Sequence, residues 1–228
     1  MSQDISGTTG YAGEGTQPPL NHMINLYAEH IFPRLLDWAM RSPPIRRQRE
    51  KVIPLAQGQV LEIGAGSGLN FRYYDPEKVR QLWALEPSEA LRRKASERAR
   101  AVRFPVTFLG CGAEKIPLDD EVADAVVVTY ALCTIPDVTT ALSEMYRVLK
   151  PAGALLFSEH GKAPTWGVAG VQRLLDPAWT RMAGGCHLNR DVSALLREAG
   201  FRTDAIQSRY LPGPKWVQYH SWGSARRG

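Results

Sequence analysis

The run Val60-Leu61-Glu62-Ile63-Gly64-Ala65-Gly66-Ser67-Gly68 constrains this chain more than any other segment. A short apolar stretch of strand character leads directly into three glycines at alternate positions. Glycine tolerates positive φ and lets main chain or a ligand come close. In open α/β sheets, ligands sit at the carboxyl ends of the strands, where a loop of this kind would lie. The spacing also excludes two common readings. A G-x-G-x-x-G fingerprint counted from Gly64 needs a glycine at the position of Leu69, and no Gly-Lys-Ser/Thr follows as in a phosphate-binding P-loop. The loop therefore suits a ligand with no pyrophosphate to cradle.

The rest of the chain supplies the sheet. Short apolar runs at 59–63, 81–85, 106–109, 123–128 and 154–157 are bounded by turn residues, as strands buried on both faces of a parallel sheet are. Helical patterns at 89–102 and 138–149 alternate with them, which predicts a single doubly wound α/β domain. Upstream, Ile24, Tyr27, Ile31, Leu35, Trp38 and Ala39 recur at helical spacing interrupted by Pro33. The expectation is a kinked helix or two short ones over 21–40, ended by Pro43 and Pro44, with a further short helix over 45–54. Downstream, 166–182 is helical with Pro177 as a kink, and 191–199 is a helix stopped by Gly200. The segments 201–210 and 216–223 read as a closing pair of strands. The resulting division is a flexible tail at 1–19, a helical lid at 20–57 and one domain at 58–228.

Composition narrows the class. The chain has 228 residues, 44% of them hydrophobic and 22% charged, which suits one globular domain. Cys111, Cys133 and Cys186 are odd in number and widely spaced, so neither a disulfide framework nor a zinc-ligand pair is read from them, and no metal is expected. No apolar run approaches the roughly 20 residues of a membrane span; a cytoplasmic protein, monomeric or a weak homodimer, is expected. The net charge of +5 gathers at Arg46, Arg47, Arg49 and Lys51 and again around Arg92 to Arg103. Acidic residues punctuate both clusters and no aromatics interleave them, so they read as solvated helix faces and no nucleic-acid partner is expected.

The second strand run ends Leu82-Trp83-Ala84-Leu85-Glu86-Pro87. A carboxylate at that point can accept hydrogen bonds from both hydroxyls of a ribose; alternatively it is a charge favouring a helix N-terminus. Taken with the glycine loop, the first reading gives an adenosine site. At this point the chain resembles the class I S-adenosylmethionine (SAM)-dependent methyltransferases. Cys111-Gly112-Ala113-Glu114-Lys115-Ile116-Pro117-Leu118 is similar to their next motif, whose turn lies against the adenine, with Gly112 where the family usually has Asp; Ala113 main chain and the Glu114 side chain then take over its role. Residues 124–132 resemble the fourth strand and its loop, and Met145-Tyr146-Arg147-Val148-Leu149-Lys150-Pro151-Ala152-Gly153 the helix and turn before the fifth. The resemblance implies a Rossmann-like, mostly parallel seven-stranded sheet with an antiparallel C-terminal strand, and SAM as cofactor. It implies cofactor contacts at Glu62, Gly64, Ala65, Gly66, Gly68, Asn70, Glu86, Pro87, Gly112, Ala113, Glu114, Thr129 and Tyr130.

Further elements resemble the branch that includes the alkyl thiol S-methyltransferases: Leu132-Cys133, Glu159-His160, Leu174-Leu175-Asp176-Pro177-Ala178-Trp179 and Gly185-Cys186-His187-Leu188-Asn189-Arg190. Animal members carry a hydrophobic N-terminal anchor that this chain does not show, so their membrane association is not expected here. The expected reaction is methyl transfer to a small-molecule acceptor, with a thiol favoured over a phenol, amine or quinone-type carbon. A thiol with pKa ~8.5 needs only a weak base, and no unmistakable base stands out. His160, after the fifth strand, is the first choice for the acceptor proton, with Asp176 and His187 as alternatives. A Cys186-His187 nucleophile pair is discounted, because direct transfer needs no covalent enzyme intermediate. Tyr27, Trp38, Tyr130, Trp166, Trp179 and Cys186 either wall the acceptor pocket or are plain core. A nucleic-acid methyltransferase would carry Asn/Asp-Pro-Pro-Tyr/Phe where this chain has Thr129-Tyr130-Ala131-Leu132. A SAM-binding regulator without turnover is the third class.

Overall fold

The structure is a computed structural model and describes residues 32–228; the tail, the first part of the expected lid and Tyr27 lie outside the described residues. The elements in chain order are α1 (Phe32–Ala39), α2 (Pro43–Val52), β1 (Gly58–Ile63), β2 (Val79–Leu85), α3 (Glu89–Ala99), β3 (Val106–Leu109), β4 (Ala123–Thr129), α4 (Val138–Val148), β5 (Leu149–His160), α5 (Trp166–Met182), α6 (Val192–Glu198), β6 (Phe201–Tyr210) and β7 (Tyr219–Arg227). Seven strands form one sheet in the order β3-β2-β1-β4-β5-β7-β6. The first five are parallel; β7 runs antiparallel to both β5 and β6. From β1 the chain moves to β2 and β3 on one side, then crosses from β3 to β4 on the other side and on to β5, so the loops after β1 and β4 lead in opposite directions at a switch point.

Both faces of the sheet are covered, which is why its strands read as continuous apolar runs. Alternation along β4 sends Val126 and Val128 to one face, with Leu61, Leu155 and Phe157, against Leu142 and Met145 of α4 and Leu196 of α6. Ala125 and Val127 face the other side with Val60, Leu82 and Leu156, against Val52 of α2 and Ala95 of α3.

Three expected boundaries are corrected. Pro43 and Pro44 start α2 instead of ending its predecessor, at the first helical positions where a missing N–H costs nothing. The fifth strand begins at Leu149, not at 154, because Leu149 already pairs with Ala123; an irregularity between Ala123 and Ala125 absorbs the Lys150–Gly153 turn. A Cβ on Gly153 would lie 2.6 Å from Leu149 Cδ1 and 3.0 Å from the Asp124 carbonyl, so that turn needs glycine. The last strand begins at Tyr219, not at 216: the Pro214 carbonyl accepts from the N–H groups of Val217 and Gln218 and closes a turn there. Trp216, freed from the strand, packs edge-on against Trp179 at 5.4 Å.

Candidate active site

Gly64, Gly66 and Gly68 all adopt left-handed backbone, at φ 64, 56 and 77°. A Cβ at Gly64 would press on Ala131 at 2.6 Å, and one at Gly68 on the Phe71 ring at 2.8 Å. At Gly66 the nearest atom is the Gly64 carbonyl at 3.9 Å, so the space beside it is free for a ligand. Glu86 is 6% exposed and ties the loop to β2: Oε2 accepts from Gly66 N–H and Oε1 from Ser88 N–H, both at 2.9 Å. Burial raises its pKa, against these two bonds and Arg92. A cradle of left-handed glycines beside a buried carboxylate fits the amino-acid and ribose ends of SAM.

Glu62 sits beneath this loop, fully buried, with both oxygens occupied: Asn70 Nδ2 donates at 2.9 Å and the Tyr74 hydroxyl at 2.8 Å. Burial pushes its carboxyl up to about 7, with the two donors pulling the other way. Asn70 is a hub. Its Nδ2 also donates to Thr129 Oγ1, and its Oδ1 accepts from Arg49 Nε at 2.8 Å. Arg49, which the sequence placed on a solvated face, is 5% exposed and reaches the Met40 carbonyl at 2.6 Å. From α1, the Asp37 carboxylate accepts from the Ser67 hydroxyl, from Arg98 Nη1 at 3.0 Å and from Arg41 Nη2 at 2.5 Å. These contacts lay α1 and α2 over the loop and leave a cleft of about 80 Å³ lined by Asp37, Met40, Gly66, Asn70, Thr129 and Tyr130. A larger cavity, about 530 Å³, lies on the far side of Met40 and Arg49 among Arg46, Phe71, Tyr73 and Arg98, away from Glu86 and Tyr130.

In the motif expected to flank the adenine, a Cβ at Gly112 would lie 2.5 Å from Glu114 Oε2, so Glu114 fills the space that a larger residue at 112 would take. Ala113 is buried, and Pro87 is exposed beyond Glu86.

The other half of the edge is built from the ends of β4, β5 and α5. Tyr130 leaves β4 at φ 55°, an uncommon backbone for a residue with a side chain. Its hydroxyl lies 3.3 Å from His220 Nδ1 and its ring 5.8 Å from the Arg49 guanidinium. Glu159 Oε1 holds the turn after β4 by accepting from Ala131 N–H at 2.7 Å and Leu132 N–H at 3.0 Å; burial pushes this carboxyl up to about 7. His160, the last residue of β5, places Nε2 3.0 Å from Cys186 Sγ, and the Trp179 indole N–H donates to the same sulfur at 3.3 Å. The nearby Cys133 thiol and His160 pull the Cys186 thiol below its ordinary range against the cost of burial, and the Cys133 thiol itself lies 3.9 Å from the Tyr130 carbonyl. Cys186 in turn raises His160, overcoming burial. His187 pairs through Nδ1 with Asp176 Oδ2 at 2.9 Å, while Asp176 Oδ1 accepts from Leu188 N–H at 2.6 Å.

The fold thus joins His160 to Cys186 and His187 to Asp176, two pairs that sequence adjacency concealed. Trp179 is half-buried on Cys186, but Trp166 and Trp38 are 92% and 74% exposed and wall nothing among the described residues. Reasoning from sequence missed Asp37, Arg49, Tyr74, Gln172 and His220. Gln172, fully buried on α5, bonds Ala163 N–H and the carbonyls of Gly161 and Trp216, fixing the segment after β5. A glutamine amid an otherwise apolar helical face was its one signal. Among the described residues, no helix is long and apolar enough to cross a membrane.

The methyltransferase domain family matches residues 61–157, spanning the glycine loop to β5. The human thiol S-methyltransferase TMT1B is 32% identical over 203 residues, covering 82% of this chain and 81% of that one. The rat thiol S-methyltransferase TMT1B is 32% identical over 163 residues, 69% of this chain, and the match spans 65% of its length. In fold, the chain is similar to the N-methyltransferase NodS of Bradyrhizobium japonicum, solved with S-adenosyl-L-homocysteine, at a TM-score of 0.66 and 16% identity over 90% of this chain and 97% of that one. The glycine cradle, the carboxylate at the end of β2 and the seven-stranded order agree with these likenesses: the chain belongs to the SAM-dependent methyltransferases, in the family of the thiol S-methyltransferases.

Proposed function

We propose that this protein methylates a small thiol, with the glycine loop and Glu86 holding the donor and the pocket between Tyr130, Trp179 and Cys186 receiving the acceptor. The likeness to a thiol S-methyltransferase over 82% of the chain carries this reading. The geometry supports it by setting the Trp179 indole N–H on Cys186 Sγ at 3.3 Å and Tyr130 in the cleft at the glycine loop.

SAM, when bound, supplies a methyl group on a sulfonium, which an acceptor displaces in line. Glu62 and Asn70 act beneath the loop as positioning residues, and Gly64, Ala65, Gly66 and Gly68 offer main chain to the donor. Glu86 takes the ribose hydroxyls in place of its present N–H partners; Pro87, Gly112, Ala113 and Glu114 flank the adenine. Thr129 and Tyr130 form the floor between donor and acceptor. Holding the two reactants aligned supplies roughly 7–11 kcal/mol of the barrier reduction. The acceptor thiolate and the sulfonium lose their charges together, so the apolar walls favour the transfer over solvent. In the described part of the expected lid, α1 and α2 cover the site, with Asp37 bonded to Ser67 and Arg49 to Asn70.

The acceptor proton goes to His187. His160, preferred from sequence, has Nε2 committed to Cys186 and Nδ1 buried without a partner. His187 has the arrangement of a base with an orienting carboxylate, supplied by Asp176. A positioned base contributes about 10²–10⁴-fold, so His187→Ala lowers kcat by about a hundredfold on a thiol, while Asp176→Asn loses less. Turnover of labelled SAM against thiols, phenols, amines and quinols tests the whole reading, with SAM affinity measured alongside. Thiol turnover supports it; tight SAM binding with turnover on phenols or amines alone moves the acceptor to oxygen or nitrogen.

A further inference from the structure

Cys133, His160 and Cys186 come from three separate parts of the chain: the turn after β4, the end of β5 and the loop after α5. Their Sγ, Nε2 and Sγ atoms all lie within 4.8 Å of one another. Cys133 is 3% exposed, His160 7% and Cys186 9%, so the three groups converge inside the protein. Two sulfurs and an imidazole nitrogen are donors that select soft or borderline cations, and no carboxylate oxygen joins them to favour magnesium or calcium. We propose that Cys133, His160 and Cys186 bind a zinc-class divalent cation, leaving its fourth position for the sulfur of the acceptor.

Two thiolates and one neutral imidazole give a zinc centre with no net charge, the state in which a cation is least costly to bury. With Zn–S near 2.3 Å and Zn–N near 2.0–2.1 Å, tetrahedral ligands stand roughly 3.5–3.8 Å apart. All three donors lie within 4.8 Å of one another, and the 3.0 Å His160–Cys186 pair has to open by about half an ångström to reach that spacing. Ligation would put the His160 proton on Nδ1. The Trp179 N–H on Cys186 Sγ is a contact from outside the ligand set that orients this sulfur and moderates its charge. Three protein ligands and one open position is the pattern of reactive zinc sites; structural sites close all four.

The fourth-ligand assignment rests on the thiol reading above. An acceptor thiol that takes the open position gives up its S–H proton to His187. The methyl group then moves from the sulfonium to that sulfur; one carbon–sulfur bond breaks as the other forms. S-adenosyl-L-homocysteine and a thioether leave, and the thioether is a poor ligand that frees the position.

The test is cobalt(II) titration of the full-length metal-free protein, read by absorbance. The expected result is uptake of one equivalent at micromolar metal, with a near-ultraviolet thiolate-to-cobalt charge-transfer band and visible bands of tetrahedral intensity. Zinc should bleach both. Cys133→Ser and Cys186→Ser should each cut the charge-transfer band by about half or abolish uptake, with SAM affinity unchanged as the folding control, and Cys111→Ser should leave the spectrum intact. No uptake by the wild-type protein, or uptake without a charge-transfer band, overturns the site without reference to any variant. Metal uptake together with turnover on phenols alone sinks the thiol reading and keeps the metal; thiol turnover by metal-free protein at the full rate keeps the thiol reading and overturns the acceptor's place as fourth ligand.

Discussion

Glu86 and Glu62 are carboxylates one strand apart, and their surroundings give them opposite duties. Glu86 spends its oxygens on two N–H groups at the rim of the cleft, bonds that a ribose diol can replace. Glu86→Ala should weaken SAM binding by well over tenfold, at least about 1.4 kcal/mol, by titration calorimetry; an unchanged dissociation constant removes Glu86 from the site. Glu62 is sealed away, and its pKa of about 7 against an ordinary 4.5 makes it a stability term. Between those values the folded chain keeps a proton that the unfolded chain has released, so stability falls as pH rises from about 4.5 through 7. The loss is on the order of 3 kcal/mol. Glu62→Gln keeps the shape and removes the titration, so its melting temperature should fall less than that of the wild type between pH 5 and about 7.5. Parallel thermal melts of the two proteins check this; equal slopes exclude Glu62 as the source. Glu62 was legible as part of a motif, but nothing in the run Val60–Gly68 tells that Tyr74 would cover it.

At the scale of elements, polar side chains of α1 and α2 reach the loop and its flank: Asp37 bonds Ser67 and Arg49 bonds Asn70. Leu35 and Trp38 are exposed, whereas Asp37 collects three donors. A lid latched this way opens by breaking a few polar contacts. Asp37→Ala should speed SAM release by about tenfold or more in stopped-flow measurements, equivalent to losing roughly 1.4 kcal/mol of latch. An unchanged release rate would mean that α1 does not gate the site. The apolar spacing announced a helix near here, yet the latch was invisible in sequence because Asp37, Ser67 and Arg98 are 30 or 31 residues apart at each step. The same limit applied to the ends of β5 and β7, where pairing across the sheet overrode local turn signals.

For the whole molecule, the parallel core and the antiparallel β7 form one sheet, and the proposed donor site lies at the carboxyl ends of its parallel strands. A ligand that binds only the folded state stabilises it by mass action. S-adenosyl-L-homocysteine at a hundred times its dissociation constant should add about 2.7 kcal/mol, roughly 5–10 °C in melting temperature for a chain of this size. Glu86→Ala should lose most of that shift at the same concentration. Differential scanning fluorimetry measures both; a wild-type shift near zero would argue against a preformed donor site.

The sequence by itself determined the class of this protein. Strand and helix periods are local properties, so alternation and binary pattern announced a doubly wound sheet. Glycine spacing is local too, and Gly64, Gly66 and Gly68 with Glu86 marked the donor edge. Tertiary structure alone decided the side-chain pairings beyond that edge. It put His160 on Cys186, took His187 to Asp176, turned Trp166 outward, buried Arg49 and drew Cys133 and Cys186 together. The sulfur pairings join residues 26 or 53 positions apart, and side-chain chemistry at that distance leaves no period in a chain.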